Sequence, residues 1–191
     1  MNPQEIDNLS NEEIGKLFPI VLSKPKSNWK QLFEEEKKEL YKLLNNCITR
    51  IEHIGSTAIP NILSKPTIDI LVEIPNYEKT KDEIIQQMMS KGYYYTHRTD
   101  RNPPYIMFIK GVSVNGPVSQ TYHIHMAEKN HPIWDKVYFR DYLIEKPELA
   151  KEYERLKEQL ANEYRHNRDG YTAGKTEFVL RITREAKEKN A

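Results

Sequence analysis

Residues 51–74 read IEHIGSTAIPNILSKPTIDILVEI, and the rest of the chain is arranged around them. A β-rich run over 48–54 stops at Gly55-Ser56-Thr57, a loop carrying Pro60, Lys65 and Pro66 follows, and a second strand is expected over 67–74. Gly55 permits a tight turn that a side chain would obstruct. The small hydroxyl residues behind it leave backbone N–H groups free to approach a phosphate. In the second strand, alternation puts Ile68, Ile70, Val72 and Ile74 on one face and Thr67, Asp69, Leu71 and Glu73 on the other. An acid among β-branched residues is costly unless it is paired, hydrated or bound to a cation. The expected arrangement is therefore a phosphate-holding turn (Gly55, Ser56, Thr57, with Lys65) facing a metal-holding carboxylate, Asp69. No fixed basic partner for Asp69 is evident in the sequence.

Working outward, residues 1–26 form an N-terminal arm, in which Ser10 and Glu13 fit a capping box before Pro19 and Pro25 prevent anything long. From Ser27, the spacing of Trp29, Leu32, Phe33, Glu36, Leu40, Leu43, Leu44 and Cys47 predicts an amphipathic helix that buries Cys47 and leads straight into the first strand. A helix over 78–91 comes next, then strands over 93–95, 105–109 and 119–126, with 111–117 a flexible connection. The polar loop 96–104, with Arg98, Asp100 and Arg101, is expected to reach over a pocket.

The strand over 119–126 carries His123 and His125, two residues apart and so on one face. Two readings stand for the pair: a divalent-metal or phosphate site, or two partly buried, hydrogen-bonded histidines on an edge strand. Beyond it the chain reads as helical, over 131–144, from Pro147 onward, and over 171–189 after a break at Asp169-Gly170. Arg140 beside Asp141 is either an ion pair or a phosphate clamp. The run Gly170 to Thr176 imitates a P-loop, but it has three residues between its glycines where four are needed, and a helix rather than a strand precedes it.

Three motifs, GSTAIP with KPTID, HIHM, and FRDYL with the tail, give the sequence a resemblance to the GrpB family over roughly residues 28–187. GrpB proteins are similar to nucleotidyltransferases of the polymerase-beta fold. The resemblance implies an α+β architecture: a nucleotidyltransferase-like small mixed sheet of about five strands, with helices on one face and a C-terminal helical subdomain. The divisions are the arm 1–26, a core 27–126 and helices 127–191 packed on that core.

The activity implied is transfer of a nucleotidyl group from a nucleoside triphosphate to a small acceptor. Asp69 would ligate Mg2+ (with Mn2+ or Zn2+ as alternatives), and Asp69, His123 and His125 would be the catalytic set. Asp69 with His125 would hold the metal, and Gly55, Ser56, Thr57, Lys65, Arg140 and Lys175 would bind nucleotide and phosphate. Lys175 enters through a Tyr-x-x-x-Lys pattern of the family. The superfamily pattern calls for a second acid two residues after Asp69, where this chain has Leu71; Glu73 lies about 13 Å along the strand. A nucleotide- or phosphate-binding module with a degenerate acid set is the alternative, and fusion of GrpB domains to dephospho-coenzyme A kinase in some proteins connects it to coenzyme A synthesis. A histidine-centred metal site is a third reading.

Composition narrows the classes. Of 191 residues 30% are charged, yet the net charge is +1, which gives no reason to expect charge-driven binding to nucleic acid or membrane. The single cysteine excludes an intramolecular disulfide. With a polar N-terminus and no apolar run near the ~20 residues of a membrane span, a cytoplasmic protein is expected.

Overall fold

The computed structural model describes residues 6, 8–97 and 103–190. Seven helices and five strands are described: α1 (Asn11–Leu17), α2 (Trp29–Leu44), β1 (Arg50–Ile54), β2 (Thr67–Glu73), α3 (Tyr77–Ser90), β3 (Tyr94–His97), β4 (Ile106–Ser113), β5 (Gly116–Ala127), α4 (Asp135–Glu145), α5 (Pro147–Glu163), α6 (Arg168–Ala173) and α7 (Thr176–Lys189). They build an α+β fold around one mixed sheet in the order β1-β2-β5-β4-β3. β2 and β5 pair in parallel, and the other pairs are antiparallel.

Strand alternation assigns the two faces of the sheet. Ile68, Ile70 and Val72 of β2, Tyr122, Ile124 and Met126 of β5, and Ile106 and Phe108 of β4 pack against Trp29, Phe33, Leu40 and Leu44 of α2 and Ile84 and Met88 of α3. The opposite face carries Leu71, Met107 and Ala127 against Ile133 and Trp134, on the short turn that starts α4. The C-terminal helices have their own apolar core, where Phe139, Tyr153 and Phe178 meet Ile59 and Ile62 from the β1–β2 loop. That loop is the joint between the sheet and the helical layer.

The arm is laced to the same layer. Ser10 and Glu13 form the expected capping box. Ile20 N–H donates to the Arg165 carbonyl, Arg168 donates to the Phe18 carbonyl, and Ile20 packs on Leu160 and Tyr171.

Several sequence expectations need correction. α2 reaches β1 through a 3-10 turn, Asn45–Cys47, and Cys47 is half-buried rather than a core thiol. Residues 111–117 are not a loose connection: β4 and β5 run on as a hairpin to the pair Ser113–Gly116. A bulge at Lys110/Val112 is the price of that continuity. Gly111 takes it at φ +84°, and any Cβ there would fall 2.1 Å from the Gln120 carbonyl. β5 is thus interior, not an edge. Asp169-Gly170 does not break the chain but lies within α6; the helices part at residues 164–167 and again at Gly174-Lys175. Arg98, Asp100 and Arg101 lie outside the described residues.

Candidate functional site

Asp69 stands on the site face of β2, with Ile54 of β1 opposite on one side and His123 of β5 on the other. Gly55 follows β1 at φ +72° and folds directly over the carboxylate: a Cβ there would lie 2.3 Å from Asp69 Oδ2. Only glycine permits this approach. A 3-10 turn, Ser56–Ala58, carries the chain away.

His123 Nδ1 lies 3.3 Å from Asp69 Oδ1, and the two side chains are 17% and 27% exposed. Burial works to raise the Asp69 carboxyl, but the hydrogen bond from His123 and, in the acid range where the carboxyl titrates, the positive charge of the neighbouring histidines and of Lys136 outweigh it and hold the group at about 2. Burial lowers His123 below its ordinary value, and Asp69 offsets this only in part. Both directions agree when neutral His123 turns its Nδ1–H toward an ionised Asp69, leaving Nε2 as an acceptor. Asp69 thus has a partner, contrary to the sequence reading. His125 lies one pleat further, opposite Leu71 and Met107, and is 6% exposed beside the Tyr105 ring.

The cations come from the loop and the C-terminal helices. Lys175, at the head of α7, stands 4.1 Å from the centre of the Tyr171 ring, and Lys65 faces the same ring at 6.0 Å. Burial lowers Lys65 to about 7, with help from Arg168 and Lys175, while Asp69 works the other way. Burial takes Lys175 to about 8 against the pull of Asp69. Lys157 of α5, 1% exposed, donates to the Leu63 carbonyl over the face of Tyr153. The structure therefore sets the Gly55-Ser56 turn and His123 against Asp69 and brings Lys65 and Lys175 within electrostatic reach of that carboxylate. It adds Lys157, Lys136 and Arg168, which the sequence reading missed. Lys157 did leave a trace, as a lysine within the apolar stripe of α5, one turn after Tyr153 and just before Leu160.

Two expected phosphate ligands are otherwise engaged. The Thr57 hydroxyl donates to the Thr67 carbonyl and accepts from His53 Nε2 at 3.0 Å, stitching β1 to β2. His53, stacked on Phe33 and lowered by burial to about 4, is the neutral donor in that contact. Arg140 binds Glu52 at 2.8 Å, Asp141 at 2.7 Å and the His53 carbonyl at 2.6 Å, which is the ion-pair reading of the FRDYL motif. Thr57, His53 and Arg140 line a separate groove of about 520 Å3 along the β1 edge, together with Trp29, Lys30 and Phe33.

The donor set can be tested against magnesium. That ion takes oxygen ligands in octahedral geometry, usually one or two carboxylates plus substrate phosphates. Among the described residues, no group of three or more His, Cys, Asp and Glu side chains converges as a metal cage. Leu71, in the place of a second acid, is 0% exposed within an apolar cluster. Glu73, at the far end of β2, accepts from the Thr49 hydroxyl. One carboxylate among several lysines does not fit a resident metal pair.

Comparison with known proteins gives the family. Residues 19–185 match the family model described as GrpB protein. The chain belongs to the GrpB family. It is 33% identical to glutamate-rich protein GrpB of Alkalihalophilus pseudofirmus, over 87% of this chain and 95% of that one. It is 35% identical to UPF0157 protein YqkA of Bacillus subtilis over 83% of its own length but spans only 45% of YqkA. The crystal structure of conserved protein GrpB from Enterococcus faecalis superposes with a TM-score of 0.78 at 32% identity, covering 89% of this chain and 99% of that one. A complex of Cid1 with its short product ApU overlaps at a TM-score of 0.41 and 13% identity, too distant to bear on activity. No helix among the described residues is long and apolar enough to cross a membrane.

Proposed function

We propose that this GrpB protein binds a nucleoside triphosphate in the cleft between β2 and the C-terminal helices, with the phosphates at the Gly55-Ser56 turn. The reading rests above all on the pressing of the Gly55 turn onto Asp69. A backbone so close to a strand leaves no room for side chains, and its amides form a surface for phosphate oxygens. Lys65 and Lys175 each stand within the field of Asp69. The binding module takes precedence over transfer because Leu71 is locked into the apolar core where the second acid would stand.

Nucleotidyl transfer to a small acceptor is kept as a second reading for one reason. Neutral His123, oriented through Nδ1 by Asp69, presents Nε2 as a base able to take a proton from an acceptor hydroxyl. The test is titration of ATP and UTP into the full chain, followed by release of pyrophosphate from the bound nucleotide in mixtures of small alcohols and phosphate esters. Binding without pyrophosphate release is the expected result. Absence of binding by either nucleotide, or Lys65→Met at undiminished affinity, would overturn the site; pyrophosphate release lost in His123→Gln would promote the second reading.

A further inference from the structure

We propose that the cleft is a metal-independent cradle for a chain of three or more phosphates, in which Lys65, Lys157, Lys175 and Arg168 supply the positive charge that divalent ions supply at other phosphate sites. The proposal rests on the phosphate-binding reading above and adds the ligand's charge class and the groups that neutralise it.

Lysine is almost never fully buried without a counter-charge. Lys157 is 1% exposed, and its ammonium group meets the Leu63 carbonyl and the Tyr153 ring. Lys65 and Lys175 both stand over the ring of Tyr171. Arg168 donates to the Phe18 carbonyl at 3.0 Å. Each of these partners is a dipole or a ring, and none carries a negative charge.

Acids within electrostatic reach offset the group only in part. Asp69 acts on Lys65 and Lys175, Glu154 and Glu158 on Lys157, and Asp169 on Arg168. Glu154 is already bound by Lys151 and by the Leu63 N–H. Against these acids stand burial and mutual repulsion: Lys175 opposes Lys157, Lys136 and Arg168 oppose Lys175, and Arg168 opposes Lys65. All four groups hold their protons less firmly than usual, Lys157 at about 7. Such a cluster strains the apo fold and is relieved by an anion that reaches several members at once. Orthophosphate carries too little charge to offset the group. A triphosphate chain carries more charge, spread over several phosphates, and arrival of that charge draws protons onto the lysines.

The experiment titrates tripolyphosphate, pyrophosphate and orthophosphate into the full chain with excess EDTA at pH 7.5, in two buffers of different ionisation enthalpy. Expected are binding of tripolyphosphate at least tenfold tighter than pyrophosphate, net proton uptake, and at least tenfold weaker binding by Lys175→Met and by Lys157→Met. Both variants should melt no lower than the parent. Binding of ATP with magnesium but not of tripolyphosphate in EDTA would overturn the cradle and leave the nucleotide reading standing. Tripolyphosphate bound in EDTA, with ATP and UTP no tighter, would support the cradle and remove the nucleotide. Failure of every probe would overturn both, and undiminished affinity in the two lysine variants would overturn the cradle.

Discussion

Charged side chains are buried or half-buried on both faces of this sheet, and the two groups differ in kind. On the α2 face, Glu36 is 3% exposed and receives Lys110 at 2.6 Å and the Tyr93 hydroxyl at 2.5 Å, with Lys110 also over the rings of Tyr93 and Tyr122. One acid meets one base and a hydroxyl, and the charge closes on itself. On the other face Asp69 and His123 are outnumbered by lysines and an arginine. A buried charge with matched partners is a structural joint, whereas an enclosed excess of one sign is what a ligand of opposite charge would meet.

The contrast can be broken at its strongest point first. Removing Lys110, whose side chain is 38% exposed, leaves the buried Glu36 carboxylate without its counter-charge, so Lys110→Met should destabilise by about 3 kcal/mol, while Glu36→Met with Lys110→Met should recover most of the loss. Denaturant titration reads both, and ligand affinity in the double variant should match the parent. A Lys110→Met protein as stable as the parent would erase the distinction between the faces.

Next in size is Gly55→Ala. The positive φ and the 2.3 Å approach to Asp69 Oδ2 should together cost about 2 kcal/mol. The collision is with the protein's own carboxylate, so Asp69→Ala should relieve part of it. A thermodynamic cycle should therefore show coupling between the two sites, and strict additivity would mean that the turn does not rest on the acid.

A comparable effect is expected from Asp69 through pH. Its folded value, about 2, lies below its ordinary 3.8, so its contribution is complete above pH 4 and is lost as pH falls through 2. By linkage that contribution is about 2 kcal/mol. Asp69→Asn should flatten the acid limb of the stability curve in that window.

The smallest effect has the opposite sign. Lys157→Met removes a buried ammonium and should stabilise the apo protein by about 1 kcal/mol at neutral pH. Because Lys157 falls from 10.5 to about 7 on folding, the unfolded chain binds more protons between these values, and apo stability climbs with pH through that range. The variant should climb less steeply. Tripolyphosphate affinity in the parent should move the other way, weakening from pH 6.5 to 9 as the lysines discharge.

How much of this was legible in the sequence follows from which forces are local. Alternation in residues 67–74 named both faces of β2, and the Gly55-Ser56 turn and Asp69 were identified because a glycine and a misplaced acid contradict their surroundings within a few residues. The bonds of Thr57 and Arg140 were not legible, since Thr67, Glu52 and the His53 carbonyl are reached only once strands pair and α4 docks. The cations were hardest to see. Lys157 broke the apolar stripe of α5, but Arg168 carries no local signal, because its place depends on the arm crossing at Phe18. The hairpin at 113–116 is not legible in the sequence, because glycines that suit a flexible linker also suit a bulge and a tight turn.

The parallel register of β2 against β5 has a kinetic consequence. Asp69 and His123 are neighbours only through that pairing, while α3, β3 and β4 lie between them along the chain. A loop of that size loses its entropy before the contact returns anything, so the pair assembles late compared with the β4–β5 hairpin, whose strands meet across a tight turn. The cleft therefore comes into being with the slowest step of sheet formation, and a fluorescent phosphate probe bound there would report on completion of folding rather than on its beginning.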